Sequence, residues 1–325
     1  MKSLPSLLYV FLLSCLFLAC SDSEDTIPEP EKLTATDFVS GLKSPIGMSI
    51  DGQGQLWVTE AGTGKADASV SLITAAGVKT TLLSGLPSEV SNGAVEGISH
   101  LLHRDGKLYI LHGVSGMLYI VDVSKFKSGD APLKFSDLTG EDIGTYVKSL
   151  ALTNPLNSNP YDLTFGPDGH LYIADAGANA IIKRDKDTRA LSKFAEIPGP
   201  ATGVESVPTG IVYNGTHFLV TSLTGFPFAA ASAKIFQITP AGAVSEYKTG
   251  YTTLIHLALT ANNKPIALQF ATFDMGFQPQ TGKVVNENGT VLLDNLTMPT
   301  DIKRSGDKSF YLLSYALGTI QKLSY

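Results

Sequence analysis

Between Asn159 and Arg184 the chain reads NPYDLTFGPDGHLYIADAGANAIIKR. Tyr161, Leu163 and Phe165 alternate with polar neighbours, the period of a half-buried strand. Pro167-Asp168-Gly169 supplies turn chemistry, since proline presets φ and glycine tolerates positive φ. Leu171 to Ala174 is a second apolar run, Gly177-Ala178-Asn179 breaks it, and a third strand starts at Ala180. Two tight turns in so short a span predict an antiparallel meander.

The unit recurs as PIGMSIDGQGQLWVTE from Pro45, EGISHLLHRDGKLYILH from Glu96 and PTGIVYNGTHFLVTS from Pro208. LALTANNKPIALQ from Leu257 and PTDIKRSGDKSFYLLS from Pro299 complete the set. The second strands start near Leu56, Leu108, Leu171, Phe218, Ile266 and Phe310, spaced by 44 to 63 residues. Four-stranded propeller blades repeat about every 40–50 residues. The pattern predicts an all-β fold, a six-bladed β-propeller of four-stranded antiparallel blades. The last repeat, Pro299 to Tyr325, has room for three strands. Its outer strand is expected from Leu33 to Val39, so that the N-terminus closes the ring and leaves no open edge.

The longest insertion runs from Ser124 to Asn157. Leu133 to Leu138 is expected as the outer strand of blade two. Glu141 to Leu152 places Ile143, Val147, Leu150 and Ala151 at helical spacing, which predicts a short helix over one face.

Before the repeats, Lys2 and the apolar run Leu4 to Ala19 read as a secretory leader, too short to span a bilayer. Phe17-Leu18-Ala19-Cys20 resembles a bacterial lipobox. The expected division is a signal peptide at 1–19, an acidic and proline-bearing linker at 20–32 and the propeller at 33–325. Cys20 is the expected lipidation site, with anchorage at the bacterial outer membrane. Ser21-Asp22-Ser23-Glu24-Asp25 resembles a surface-export signal, which extends the expectation to the cell surface. The net charge is −6, and residues 36–325 carry about −3. No basic field attracts phosphates, so nucleic acid is not an expected partner. Both cysteines, Cys15 and Cys20, precede the propeller. Disulfides and thiol chemistry are therefore excluded from it.

Propeller topology brings the entries of the first strands and the second-to-third loops to one channel mouth. Glu96, Asn159, Asp162 and Asp301 are oxygen donors from different blades, a pattern that suits Ca²⁺. The alternative is that they cap backbone amides at strand starts. His112, Thr209, Thr224 and His256 join them as candidate ligand-binding residues, and His112 or His256 as a candidate general base. His100 and His103 fall on opposite strand faces and show no metal spacing. Asp175 and Asn179 bracket a glycine turn and are expected to hydrogen-bond it and its neighbour blade. The loop Thr221 to Phe228 carries Phe226 and Phe228, and Phe270, Phe273 and Phe277 follow one blade later. Adjacent aromatic loops form a candidate apolar cleft.

NPYDL at Asn159 to Leu163, IADAGANAIIK at Ile173 to Lys183 and VPTG at Val207 to Gly210 resemble the ScyD/ScyE family. SLTGFPF at Ser222 to Phe228 and SAKIFQITPAG at Ser232 to Gly242 extend that resemblance. It implies an extracytoplasmic six-bladed propeller. The family takes its name from gene clusters for an aromatic indole-phenol pigment. The chain departs from the family in blade one, where a glycine-rich segment is reduced to Glu60-Ala61-Gly62-Thr63-Gly64. The expectation is a monomeric, membrane-anchored propeller binding a small ligand or protein partner at its mouth. A Ca²⁺-dependent lactonase-type hydrolase and an enzyme of aromatic secondary metabolism are the alternatives.

Overall fold

The computed structural model describes residues 27–325. The expected signal peptide and Cys20 lie outside the described residues. The strands gather into six antiparallel blades. The innermost strands are Pro45–Ile50, Ile98–Arg104, Pro160–Phe165, Pro208–Tyr213, Leu254–Leu259 and Pro299–Gly306. Each packs beside the next, and the sixth packs beside the first, so the ring is closed. Blade six takes its outer strand from Thr34–Val39, which pairs with Thr319–Ser324 in the register Thr34↔Ser324, as the incomplete final repeat predicts.

Alternation puts one side-chain set of each blade against the blade before it and the other against the blade after. Six apolar clusters result, one at each interface. Trp57 and Leu101 join blades one and two, while Tyr172 and Phe218 join blades three and four. Leu33 is buried between blades five and six, and its amide donates to Leu292 O at 2.8 Å.

Two features differ from the sequence expectation. Leu133–Lys134 pairs parallel with Lys79–Leu86 and adds a fifth strand to blade one. The outer strand of blade two is instead Gly140–Asp142. With those residues in the ladder, the helix shortens to Gly144–Ser149. Asp142 Oδ1 accepts the Thr145 amide at its start, and Ala151, at a φ of 50°, turns the chain away after its end. The expected linker also has structure near its C-terminal end. Asn262 Nδ2 donates to Ile27 O at 2.8 Å and to Glu29 Oε1 at 2.7 Å, which rests the segment on blade five. No helix among the described residues is long and apolar enough to cross a membrane.

Deleting residues 33 to 39 opens blade six and removes Leu33. The expected loss is comparable with a whole folding margin of roughly 5–15 kcal/mol. Leu33→Ala alone should lower stability by about 2–5 kcal/mol. Glu29→Ala, which removes exposed contacts, should change it by less than about 1 kcal/mol. Urea unfolding of the three variants checks the order.

Candidate functional site

All six innermost strands shift register against their second strands just after the first residue. Such irregularities re-aim side chains. The third residue of each strand lies at this break. In blade order these residues are Gly47, His100, Asp162, Gly210, His256 and Asp301. The order Gly-His-Asp therefore occurs twice, once per three blades. Space explains the glycines. A Cβ on Gly47 would lie 2.7 Å from His100 Cα, and one on Gly210 would lie 2.9 Å from His256 Cα. The glycine amides donate to Thr59 Oγ1 at 2.9 Å and Thr221 Oγ1 at 2.8 Å. Each acid reaches the following three-blade half. Asp162 Oδ2 accepts the Ile211 amide at 2.8 Å, and Asp301 Oδ2 accepts the Met48 amide at 2.7 Å.

The imidazoles fill the space between the acids. His256 lies with Nε2 3.2 Å from Asp162 Oδ2 and Nδ1 3.2 Å from Asp301 Oδ1. His100 Nδ1 is 3.1 Å from Tyr161 O, and its Nε2 is 3.8 Å from Asp301 Oδ2. The two rings are 5.1 Å apart and nearly parallel, at 14°. Lys303 breaks the pseudo-symmetry, since blade three has Thr164 at the matching place. Its Nζ lies 3.0 Å from His256 Nε2 and 3.3 Å from Asp301 Oδ1. The Lys303 side chain is 24% exposed, while those of His100, His256, Asp162 and Asp301 are 0–2% exposed.

Electrostatics follow from this burial. Dehydration disfavours charge on Asp162, but the attraction and hydrogen bond of His256, then His100 and Lys303, hold its carboxyl well below the usual carboxylate range. Burial lowers His100 to about 4, against the pull of Asp162 and Asp301. Lys303, His256 and backbone amides thus surround the converging acids as partners.

The sequence-predicted residues divide among several places. Asp162, Asp301 and His256 meet at the axis. Glu96 ends a small hairpin, Glu89–Ser91 with Ala94–Glu96, that precedes the inner strand. Although exposed, its carboxyl is raised by partial dehydration and then by Glu89 opposite. Glu96 and Asn159 line a mouth cavity of about 70 Å³ with Tyr161. The four expected Ca²⁺ donors therefore occupy two separate settings.

His112 pins a loop, with Nε2 2.8 Å from Pro87 O and Nδ1 2.8 Å from Ser115 Oγ, and burial lowers its pKa. Thr209 Oγ1 donates to Leu254 O at 2.9 Å. Thr224 is buried at a φ of 72°, and its amide donates to Ser206 O. Asp175 accepts from Ser158 Oγ and the Asn159 and Ala178 amides. Asn179 Oδ1 accepts the Val207 amide of the next blade at 2.9 Å. Asp175 thus serves the turn and the entry of its own blade, and Asn179 the neighbouring blade, so the two expected roles are divided between them. His100 and Lys303 were not among the candidates. Aligning the strand starts PIG, ISH and PYD with PTG, LIH and PTD reveals His100.

On the loop face, Phe228 lies 4.9 Å from Phe273 and 5.0 Å from Phe277, ring centre to ring centre. Phe226 lies 6.1 Å from Phe273 and is 74% exposed, and Met275 on the same loop as Phe273 is 100% exposed. Beside Phe226 a groove of about 540 Å³ is lined by Thr153, Asn154, Glu205 and Ser206. A larger hollow, about 760 Å³, lies elsewhere, along the outer strands of blades four and five, against Glu246, Tyr247 and Lys283.

No protein-family model matches the chain. No curated protein matches it either. Solved structures do. A Bacteroides thetaiotaomicron protein of unknown function superimposes with a TM-score of 0.61 at 12% identity, over 90% of this chain and 76% of that one. A gluconolactonase from Xanthomonas campestris gives 0.57 at 10% identity, over 90% and 89%. Virginiamycin B lyase from Staphylococcus aureus, in a catalytically inactive form with quinupristin, gives 0.53 at 16% identity, over 90% and 99%. What this chain shares with them is the β-propeller fold.

Gly47→Ala and Gly210→Ala should each destabilise the fold by about 1–3 kcal/mol through overpacking at the axis. Gly52→Ala, where an added Cβ meets nothing within 4 Å, should stay within about 0.5 kcal/mol. Equal denaturant midpoints for all three would refute a crowded axis.

Proposed function

We propose that this protein is a lipid-anchored extracytoplasmic propeller, related to the ScyD/ScyE family, that binds a small molecule on its loop face over blades three to five. The observation that carries this is the exposed Phe226, packed with the half-buried Phe228 and Phe273, beside a groove with polar walls. Recognition sites combine apolar surface with a few placed polar groups. A flat ring would lie against Phe226, and its hydroxyl groups would meet Thr153, Asn154 and Glu205. The segment SLTGFPF, which carries part of the family resemblance, builds the aromatic loop. PYD and PTG of the same resemblance supply Asp162 and Gly210 at the axis.

The axis itself serves this function as a rigid support. Its acids are buried and already paired with imidazole, ammonium and amide groups. Ca²⁺ takes six to eight oxygens. Two carboxylates surrounded by nitrogen groups do not provide that set, and Glu96 and Asn159 belong to another part of the mouth. The donors therefore do not fit a channel Ca²⁺, and the lactonase-type reading retains only the shared fold.

A neutral solvatochromic dye, Nile red, tests the aromatic surface. Phe226→Ala and Phe228→Ala should each weaken dye binding at least fivefold while leaving the melting temperature within about 4 °C, the shift of roughly 1 kcal/mol or less. Unchanged affinity in both would refute a binding role for the loops. Anchorage is separable from this. Cys20→Ser should move the protein from the membrane to the soluble fraction with loss of acyl mass, because stable attachment requires more than one chain. Membrane association of the variant equal to that of the wild type would overturn the anchor.

A further inference from the structure

Three buried polar atoms at the axis, His100 Nε2, His256 Nδ1 and Asp301 Oδ1, have no hydrogen-bond partner in the structure. They belong to blades two, five and six. One donor atom from each of these residues lies within 4.8 Å of the others.

Local bonding sets what His100 presents. The Tyr161 carbonyl can only accept, so Nδ1 of His100 carries the proton and Nε2 offers a lone pair. That lone pair faces Asp301 Oδ2 across 3.8 Å of buried space. A cation between the two would bond to both. His256 can take either tautomer. When Lys303 donates to Nε2, the proton resides on Nδ1, toward Asp301. If Lys303 withdraws, Nε2–H can donate to Asp162, which leaves a lone pair on Nδ1, 3.2 Å from Asp301 Oδ1. A carboxylate orienting one imidazole nitrogen while the other binds a metal is a recurrent arrangement.

We infer that His100, His256 and Asp301 form a site for a divalent transition cation of the Zn²⁺ class, with Asp162 orienting His256 and Lys303 competing for the site. Two imidazoles and a carboxylate suit Zn²⁺ at about 2.0–2.2 Å, whereas Ca²⁺ and Mg²⁺ prefer all-oxygen sets. The site is closed to substrates, because its ligands are buried. The ion therefore acts as a staple that ties blades two, five and six at the axis. The partly exposed Lys303 lies on the way in, and its swing toward solvent admits the ion. This inference is independent of the ligand bound on the loop face.

The test uses the full propeller, stripped with chelator and titrated with Zn²⁺ against a chromophoric competitor, and with Co²⁺ by visible absorption. One equivalent of each should bind, and both should raise the melting temperature, while Ca²⁺ and Mg²⁺ should not. His100→Gln and Asp301→Asn should weaken Zn²⁺ at least tenfold, and Asp162→Asn about 10–100-fold. Lys303→Met keeps every ligand and removes the competitor, so it should bind Zn²⁺ at least threefold more tightly. It keeps the test decisive if a ligand variant fails to fold. Absence of stoichiometric binding by the wild type overturns the proposal. So does binding undiminished in His100→Gln, or no gain in Lys303→Met.

Discussion

Six strands converge on one axis, and the space between them governs the rest of the molecule. There is no room for six side chains at one level, so every third blade carries glycine. The space left by each glycine is taken by the imidazole of the next blade. Two carboxylates are brought with them into a region where charge is costly unless paired. Each is met by a backbone amide of the following half and by an imidazole edge. The amide bonds run across the boundaries between blades three and four and between blades six and one. They therefore set the spacing of the two halves, while the apolar clusters fill the interfaces outside them.

Much of the architecture was legible because its signals are local. Period-two alternation and glycine turns mark each hairpin within about fifteen residues, and a missing strand at one end implied a spare one at the other. Pairing between distant segments was harder to read. The run from Leu133 to Leu138 has strand character, but the nearest free edge belongs to blade one, and composition cannot say so. The linker looked unstructured for the same reason, since its contacts are with a turn more than two hundred residues away. At the site, Asp162, Asp301 and His256 were found from their place at strand entries. Glu96 was grouped with them because the inner strand of blade two starts later than the repeat suggests. His100 was judged against other histidines nearby in sequence, whereas its partners come from blades three, five and six. Only a comparison taken three blades at a time exposes it.

The structure separates a closed axis from an open loop face. The axis is buried and made of short strands whose positions the ring enforces. The loops from blades three to five carry the exposed Phe226, the exposed Met275 and a groove beside Phe226. Rigid scaffolds with function on connecting loops are common, and one fold serves many chemistries in this way. The gluconolactonase and the virginiamycin B lyase share the propeller fold with this chain.

The strand Thr34–Val39 finds its partner at Thr319–Ser324, across a separation of 290 residues between Thr34 and Ser324. A ribosome delivers the first of these long before the second. Until Thr319–Ser324 is made, the early strand has no ladder to join, and the sixth blade has an unprotected edge. Closure thus waits on a late segment of the chain, reached only after five blades have had time to form. Contacts at such separations are slow to make, and waiting edges invite pairing with other chains. A truncated product of this gene would therefore present an unlatched ring, marked for aggregation or proteolysis by its own topology.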